Sequence, residues 1–130
     1  MIRFQINEET PSKKNSRIVL SNGKNIPSAR HMKWHKEAKN TVQWQTMFQA
    51  DGSEFTFPIE EEVKIKLTFV HGDKRRRDSD NGTSSIFDLL TDAGVLKDDC
   101  WNIIRHFEVY NEYEKNATRC IIEISKWSEK

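Results

Sequence analysis

Long apolar runs are missing from this chain, and nothing in it has the length of a signal peptide or a membrane span. Met1 leads instead into Ile2, Arg3, Phe4 and Gln5, which alternate like a strand. Cysteine is scarce: Cys100 and Cys120 are the two present, they form no C-x-x-C pair, and no zinc framework is visible. Reduced thiols and no membrane segment predict a soluble cytoplasmic protein. Internal repeats and low-complexity linkers are also absent, so the 130 residues are expected to form one domain, 1–130. Nor does one sign of charge dominate. The 21 Lys and Arg against 20 Asp and Glu leave a formal net charge of +1, which excludes a bulk polycation. Any nucleic-acid site must therefore come from local clustering. Charge itself is plentiful, at 32% of residues, and its arrangement carries the information.

The periodicities predict an α+β domain with one mixed β-sheet and two main helices packed against it. Met1–Asn7 alternates with Ile2, Phe4 and Ile6 on one face. Glu8–Ser16 is polar, contains Pro11 and reads as a loop. Ile18–Leu20 is a short strand ended by the turn signal Ser21-Asn22-Gly23. Ser28 suits the N-cap of a helix over 29–48 with Trp34, Ala38 and Val42 at helical spacing. Glu60–His71 is the clearest strand, with Val63, Ile65, Leu67 and Phe69 on one side. A second helix is expected over 81–93, with Ile86, Leu89, Leu90 and Ala93 on its apolar face. Asp80 or Asn81 would cap it, and Gly94 would follow it at C′. Strands at 107–112 and 118–126 close the chain.

Between Phe69 and Asp99 the charges crowd. Four cations, Lys74, Arg75, Arg76 and Arg77, run directly into Asp78 and Asp80, with Asn81 next, and Asp98 and Asp99 follow the second helix. In an extended segment Asp78 and Asp80 leave the same side of the backbone. If Gly94 reverses the chain after the helix, Asp98 and Asp99 return beside them. Such crowding is tolerable when a divalent cation sits on the carboxylates and a polyanion on the arginines. Two divalent metals roughly 4 Å apart can serve both the attacking and the leaving oxygen of a phosphodiester. Magnesium prefers such hard oxygens. The plainer reading of D-x-D-N before a helix is an N-cap at the positive end of the dipole, and of a charge run, a solvated surface. A calcium loop counted from Asp78 fails, because positions six and twelve are Thr83 and Leu89.

The order of these pieces resembles the RusA family of Holliday junction resolvases, small endonucleases of bacteria and their phages. The family pattern is a basic run, D-x-D-N, a helix with D-x-L-x-x-A-G, and a D-D pair. Here it is carried by Lys74 to Arg77, by Asp78, Asp80 and Asn81, by Asp88, Leu90, Ala93 and Gly94, and by Asp98 and Asp99. Pro11, Ser12, Lys13, Lys14, Asn15 and Ser16 are similar to the P-S-x-x-N segment that opens many phage members. The resemblance spans nearly the whole chain. It implies a magnesium-dependent endodeoxyribonuclease, with manganese as the other candidate ion, that cuts four-way junction DNA by paired nicks in recombination and repair. It implies Asp78, Asp80 and Asp99 as catalytic metal ligands, with Asp98 a supporting or alternative one. The resemblance also implies a homodimer with two sites, because two strands of like polarity must be cut symmetrically. The expected location is the cytoplasm of a bacterium or a phage-infected host. Lys74, Arg75, Arg76 and Arg77 would bind DNA phosphates, with Lys13, Lys14 and Arg17 as a second anchor.

One departure from the pattern stands out. Family members typically carry a lysine in the first turn of the second helix, two or three residues beyond D-x-D-N, but here Gly82, Thr83, Ser84 and Ser85 follow Asn81. Lys13, Lys14, Arg76 and Lys97 are candidates to replace it. A non-catalytic junction- or DNA-binding protein on the same fold is therefore the second reading, and a general or RNA-directed nuclease the third. His71 is expected to pack or hydrogen-bond, and the i, i+4 pair His31 and His35 lacks further ligands for zinc. Trp101 is expected to pack on the sheet, stacking on an unpaired base being the other option. Cys100 has no base to mark it as a nucleophile.

Overall fold

The alternation through Val63, Ile65, Leu67 and Phe69 becomes the inner strand of a mixed sheet. A computed structural model of the chain describes residues 1–12, 17–80 and 82–128, with Arg17 and Pro27 described by backbone alone. Its elements are β1 (Ile2–Ile6), β2 (Arg17–Val19), β3 (Asn25–Pro27), α1 (Ala29–Ala50), β4 (Val63–His71), α2 (Thr83–Asp92), β5 (Ile104–Tyr113) and β6 (Arg119–Lys126). The main sheet has the order β1-β6-β4-β5, while β2 and β3 form a separate antiparallel hairpin. β4 runs antiparallel to β6 and parallel to β5. Parallel neighbours need a crossover, and α2 is that crossover. The expected α+β architecture with a mixed sheet is what the chain forms.

Val63, Ile65 and Leu67 are fully buried on the helix-covered face, together with Ile122 and Ile124 of β6 and Phe4 of β1. Trp34, Ala38 and Val42 of α1 and Ile86, Leu89 and Leu90 of α2 complete this core. The opposite sheet face holds charge: Lys64 pairs with Glu108 at 2.8 Å, and the Lys66 ammonium lies 4.9 Å from the Tyr110 ring centroid. Lys64 holds the Glu108 carboxyl down at about 2, with help from the Tyr110 hydroxyl. Ser28 caps α1 as expected, its hydroxyl accepting the His31 N–H. His31 is buried against Ser85, and His35 meets Asp92 at 2.7 Å, so both histidines serve packing and hydrogen bonding.

The start of α2 differs from expectation. Its N-cap is Gly82 at φ 92°, with no side-chain cap, and Asp80 contributes only its backbone carbonyl to the Thr83 N–H. Asn81, the other expected cap, lies outside the described residues. A Cβ at Gly82 would stand 2.9 Å from the Thr10 methyl carbon, so close approach and positive φ both demand glycine. Gly94 at φ 79° follows α2 as expected. β3 carries no alternation in its three residues, and β5 begins at Ile104 because buried Ile103 and Ile104 join the core before the exposed part of the strand.

The two edges of the main sheet are treated differently. On β1, Gln45 and Gln49 of α1 take both the N–H and the C=O of Gln5 and Arg3. Those four hydrogen bonds close the edge. β5 ends the sheet on the other side with β4 as its strand neighbour. Phe107, Tyr110 and Tyr113 are exposed along it.

Candidate active site

The segment leaving β4 crosses to the end of β5, and a short relay holds it there. His71 Nε2 meets Asn111 Oδ1 at 2.9 Å, and Asn111 donates to the Ser79 carbonyl at 2.8 Å. Ser79 lies between Asp78 and Asp80, so this hydrogen bond fixes the backbone carrying both carboxylates. Asp78 and Asp80 are exposed, and among the described residues neither side chain has an acid-base or hydrogen-bond partner. His71 thus hydrogen-bonds, as expected. Asn111 gave no signal in the sequence, because its role depends on the pairing of β4 with β5.

The four-cation run does not act as one surface. Arg77 is tucked in, its side chain 11% exposed, with Nε on Glu9 at 2.7 Å and Nη2 on Asp73 at 2.9 Å. Arg75 reaches the same two acids, Glu9 at 2.8 Å and Asp73 at 3.2 Å. Burial pushes the Glu9 carboxyl up, but the hydrogen bonds and charges of Arg77 and Arg75 outweigh it and leave the group below its ordinary value. The Lys74 ammonium stands 4.9 Å from the Tyr113 ring centroid. Arg76 is exposed and, among the described residues, has no acid opposite it. Arg75 and Arg77 therefore fasten the loop ahead of Asp78 to the segment containing Glu9. Glu9 and Asp73 are structural partners that the sequence reading did not single out. Asp73 was findable from its spacing to Arg77; Glu9 is joined to the run only by the fold.

Asp98 and Asp99 lie at the other end of the crossover. Leu96 bridges Ile59 ahead of β4, Lys97 pairs with Glu60 at 2.7 Å, and the Cys100 carbonyl accepts the Ile104 N–H at the start of β5. Ser79 is tied to Asn111, seven residues further along β5. At about 3.3 Å per residue that separation is roughly 23 Å. Gly94 turns the chain, but onto the beginning of β4 and not back toward Asp78. The expectation that one chain gathers Asp78, Asp80, Asp98 and Asp99 in a single cluster is not met, because α2 and β5 hold the pairs apart. Among the described residues, no three His, Cys, Asp or Glu side chains could hold a metal ion together. Asp78 and Asp80 do offer hard oxygens unpartnered among the described residues, and magnesium can bind through one or two carboxylates plus water and substrate phosphate. Lys13 and Lys14 lie outside the described residues, and Arg17 opens β2.

Sequence comparison supplies the assignment. Residues 9–125 match the family described as Endodeoxyribonuclease RusA. The chain belongs to the RusA family. It is also 30% identical over 112 residues, 86% of its length and 81% of the relative's, to the crossover junction endodeoxyribonuclease RusA of Aquifex aeolicus. Membership makes the protein an endodeoxyribonuclease.

Within this RusA chain the first turn of α2 explains what can stand where a lysine is missing. Thr83 is buried, and Ser85 is fully buried with its hydroxyl on the Pro11 carbonyl at 2.7 Å. Ser84 is exposed and is the position of that turn with room for a long side chain. Of the described candidates to replace the lysine, Lys97 is at the far end and paired with Glu60, whereas Arg76 is at the Asp78 end and uncommitted.

Proposed function

We propose that this RusA-family chain resolves four-way DNA junctions by paired symmetric nicks, as a homodimer that depends on magnesium. The observation carrying the proposal is the division of the acids: Asp78 and Asp80 at one end of α2, and Asp98 and Asp99 at the other. The open edge of β5 supports a partner copy there. If two β5 edges paired antiparallel about a two-fold axis, the start of one strand would meet the end of the other. The Asp99 of the second copy would then approach Asp78 and Asp80 of the first, twice per dimer. Asp78, Asp80 and Asp99 would hold magnesium, with Asp98 in support. The ion, when bound, would favour an attacking hydroxide and offset charge on the leaving oxygen.

The remaining parts of the reading concern the chain's own side chains. Arg76 and Lys74 would lie on junction phosphates, giving affinity and orientation without base preference. Asn111 would hold the Asp78–Asp80 segment in place through Ser79. Lys13, Lys14 and Arg17 would form the second phosphate anchor. The name of the Aquifex relative supports the crossover junction as substrate. A cleavage assay on a synthetic four-way junction, with and without magnesium, tests all of this. Paired nicks that require the metal are expected, on junction and not on linear duplex. The missing first-turn lysine favours one competing reading, a non-catalytic junction binder. Saturated binding without nicking in magnesium would establish that reading instead.

A further inference from the structure

Trp101 is 74% exposed, two residues beyond Asp99, and it does not pack on the sheet core as the sequence suggested. It is nonetheless held in place. The Arg105 guanidinium carbon lies 5.9 Å from its ring centroid and 5.8 Å from that of Trp127. Trp127 stacks in turn on His106, with centroids 5.9 Å apart and planes 14° off parallel. Glu62 fixes Arg105 at 2.8 Å. The result is a stack of His106, Trp127, Arg105 and Trp101 whose last member carries most of its surface in solvent. Trp44 and Phe48 on α1 are exposed too, but they stack on each other, far along the chain from Asp78, Asp80, Asp98 and Asp99.

We infer that Trp101 is a stacking platform for a nucleobase unpaired beside the cut at the junction's crossover. The inference rests on the junction-resolving function proposed above and names a contact that reading does not contain. Every base presents a π-face, so stacking on an indole is tolerant of sequence. In a continuous duplex those faces are covered by neighbouring bases. At a crossover, stacking is interrupted and a base can leave the helix. A platform next to Asp99 would reward that base, discriminating branched from linear DNA without reading sequence. The guanidinium on one side of the indole limits its motion before DNA arrives, so less side-chain ordering is left to oppose binding.

The test compares the full-length protein with W101A and W101F, in magnesium-free buffer. The probe is a synthetic four-way junction carrying 2-aminopurine at the crossover, with a linear duplex as control. W101A is expected to weaken junction binding about tenfold or more while leaving duplex binding within about twofold, and W101F to retain most of the junction affinity. At saturation, 2-aminopurine should be quenched by the wild type and bright with W101A. Equal junction affinity, or equal quenching, in wild type and W101A overturns the platform alone. Loss of junction and duplex binding together in W101A marks a fold or dimer defect and also overturns it. A wild type that does not prefer the junction overturns the functional reading, and the platform with it.

Discussion

The two ends of α2 carry acids of the same kind in opposite company. At its start, Asp78 and Asp80 follow a strongly cationic run and are fixed through Asn111. Beyond its end, Asp98 and Asp99 precede the aromatic and arginine stack of Trp101, Arg105 and Trp127. On the proposed reading, one end would meet phosphate and the other a base. Among the described residues no three acids at either end could hold a metal ion together, which fits the proposal that the two ends complete one site between different copies. The largest predicted effects test that division. Asp80→Asn and Asp99→Asn should each lower junction cleavage by about a thousandfold or more while leaving junction binding intact. Co-expressed as mixed dimers, the two variants should regain nicking, because one of the two sites then receives all its carboxylates. Paired resolution should not return. Absence of nicking in verified mixed dimers would place the acids of each site on a single chain.

The next effect sharpens the contrast at the start of α2. Ser84 is exposed while Thr83 and Ser85 are buried, so Ser84→Lys adds a cation to the first turn of α2 without disturbing the core. Single-turnover cleavage should rise about tenfold, through charge stabilisation at the transferring phosphate. No change, or a fall, would indicate that a cation elsewhere already serves. Arg76→Ala should be smaller: a several-fold loss of junction affinity and a salt slope lower by about 0.9. The melting temperature should not move, since Arg76 holds nothing in place among the described residues. An unchanged salt slope would make Arg76 a solubility feature.

Much of this arrangement could be read from the sequence because it is local. The buried faces of α1 and β4, the Ser28 cap and the glycine after α2 follow from spacing and residue type within one element. What could not be read depends on pairs distant in the chain. The cap of α2 moved to Gly82 because Thr10 packs against it. Arg75 and Arg77 became structural because Glu9 comes to them from the first loop. The acid pattern correctly marked the family but not the geometry, since a motif gives order along the chain and the length of β5 sets the distance. Trp101 illustrates the same limit: the stack that holds it is assembled by Arg105 and Trp127 arriving from two different strand ends.

The smallest effect separates the fastened half of the basic run from the free half. Glu9 is ionised more readily in the fold than in the unfolded chain, whose value is near 4.5, because Arg77 and Arg75 outweigh its burial. A lowered folded value means that the stabilisation is complete above about 4.5 and fades as pH falls through the depressed value. Glu9→Gln removes the charge at every pH. At neutral pH it should cost about 1–2 kcal/mol in urea unfolding, the scale of charge-assisted hydrogen bonds partly exposed to water. Below pH 4.5 the wild type should lose that advantage and the two unfolding curves should converge. Arg77→Ala, which empties the other side of the same contact, should behave likewise, whereas Arg76→Ala should track the wild type at every pH. Curves that stay parallel into acid would show that Glu9 holds the loop by packing alone. The order of Arg75 and Arg77 ahead of Asp78 would then owe nothing to charge.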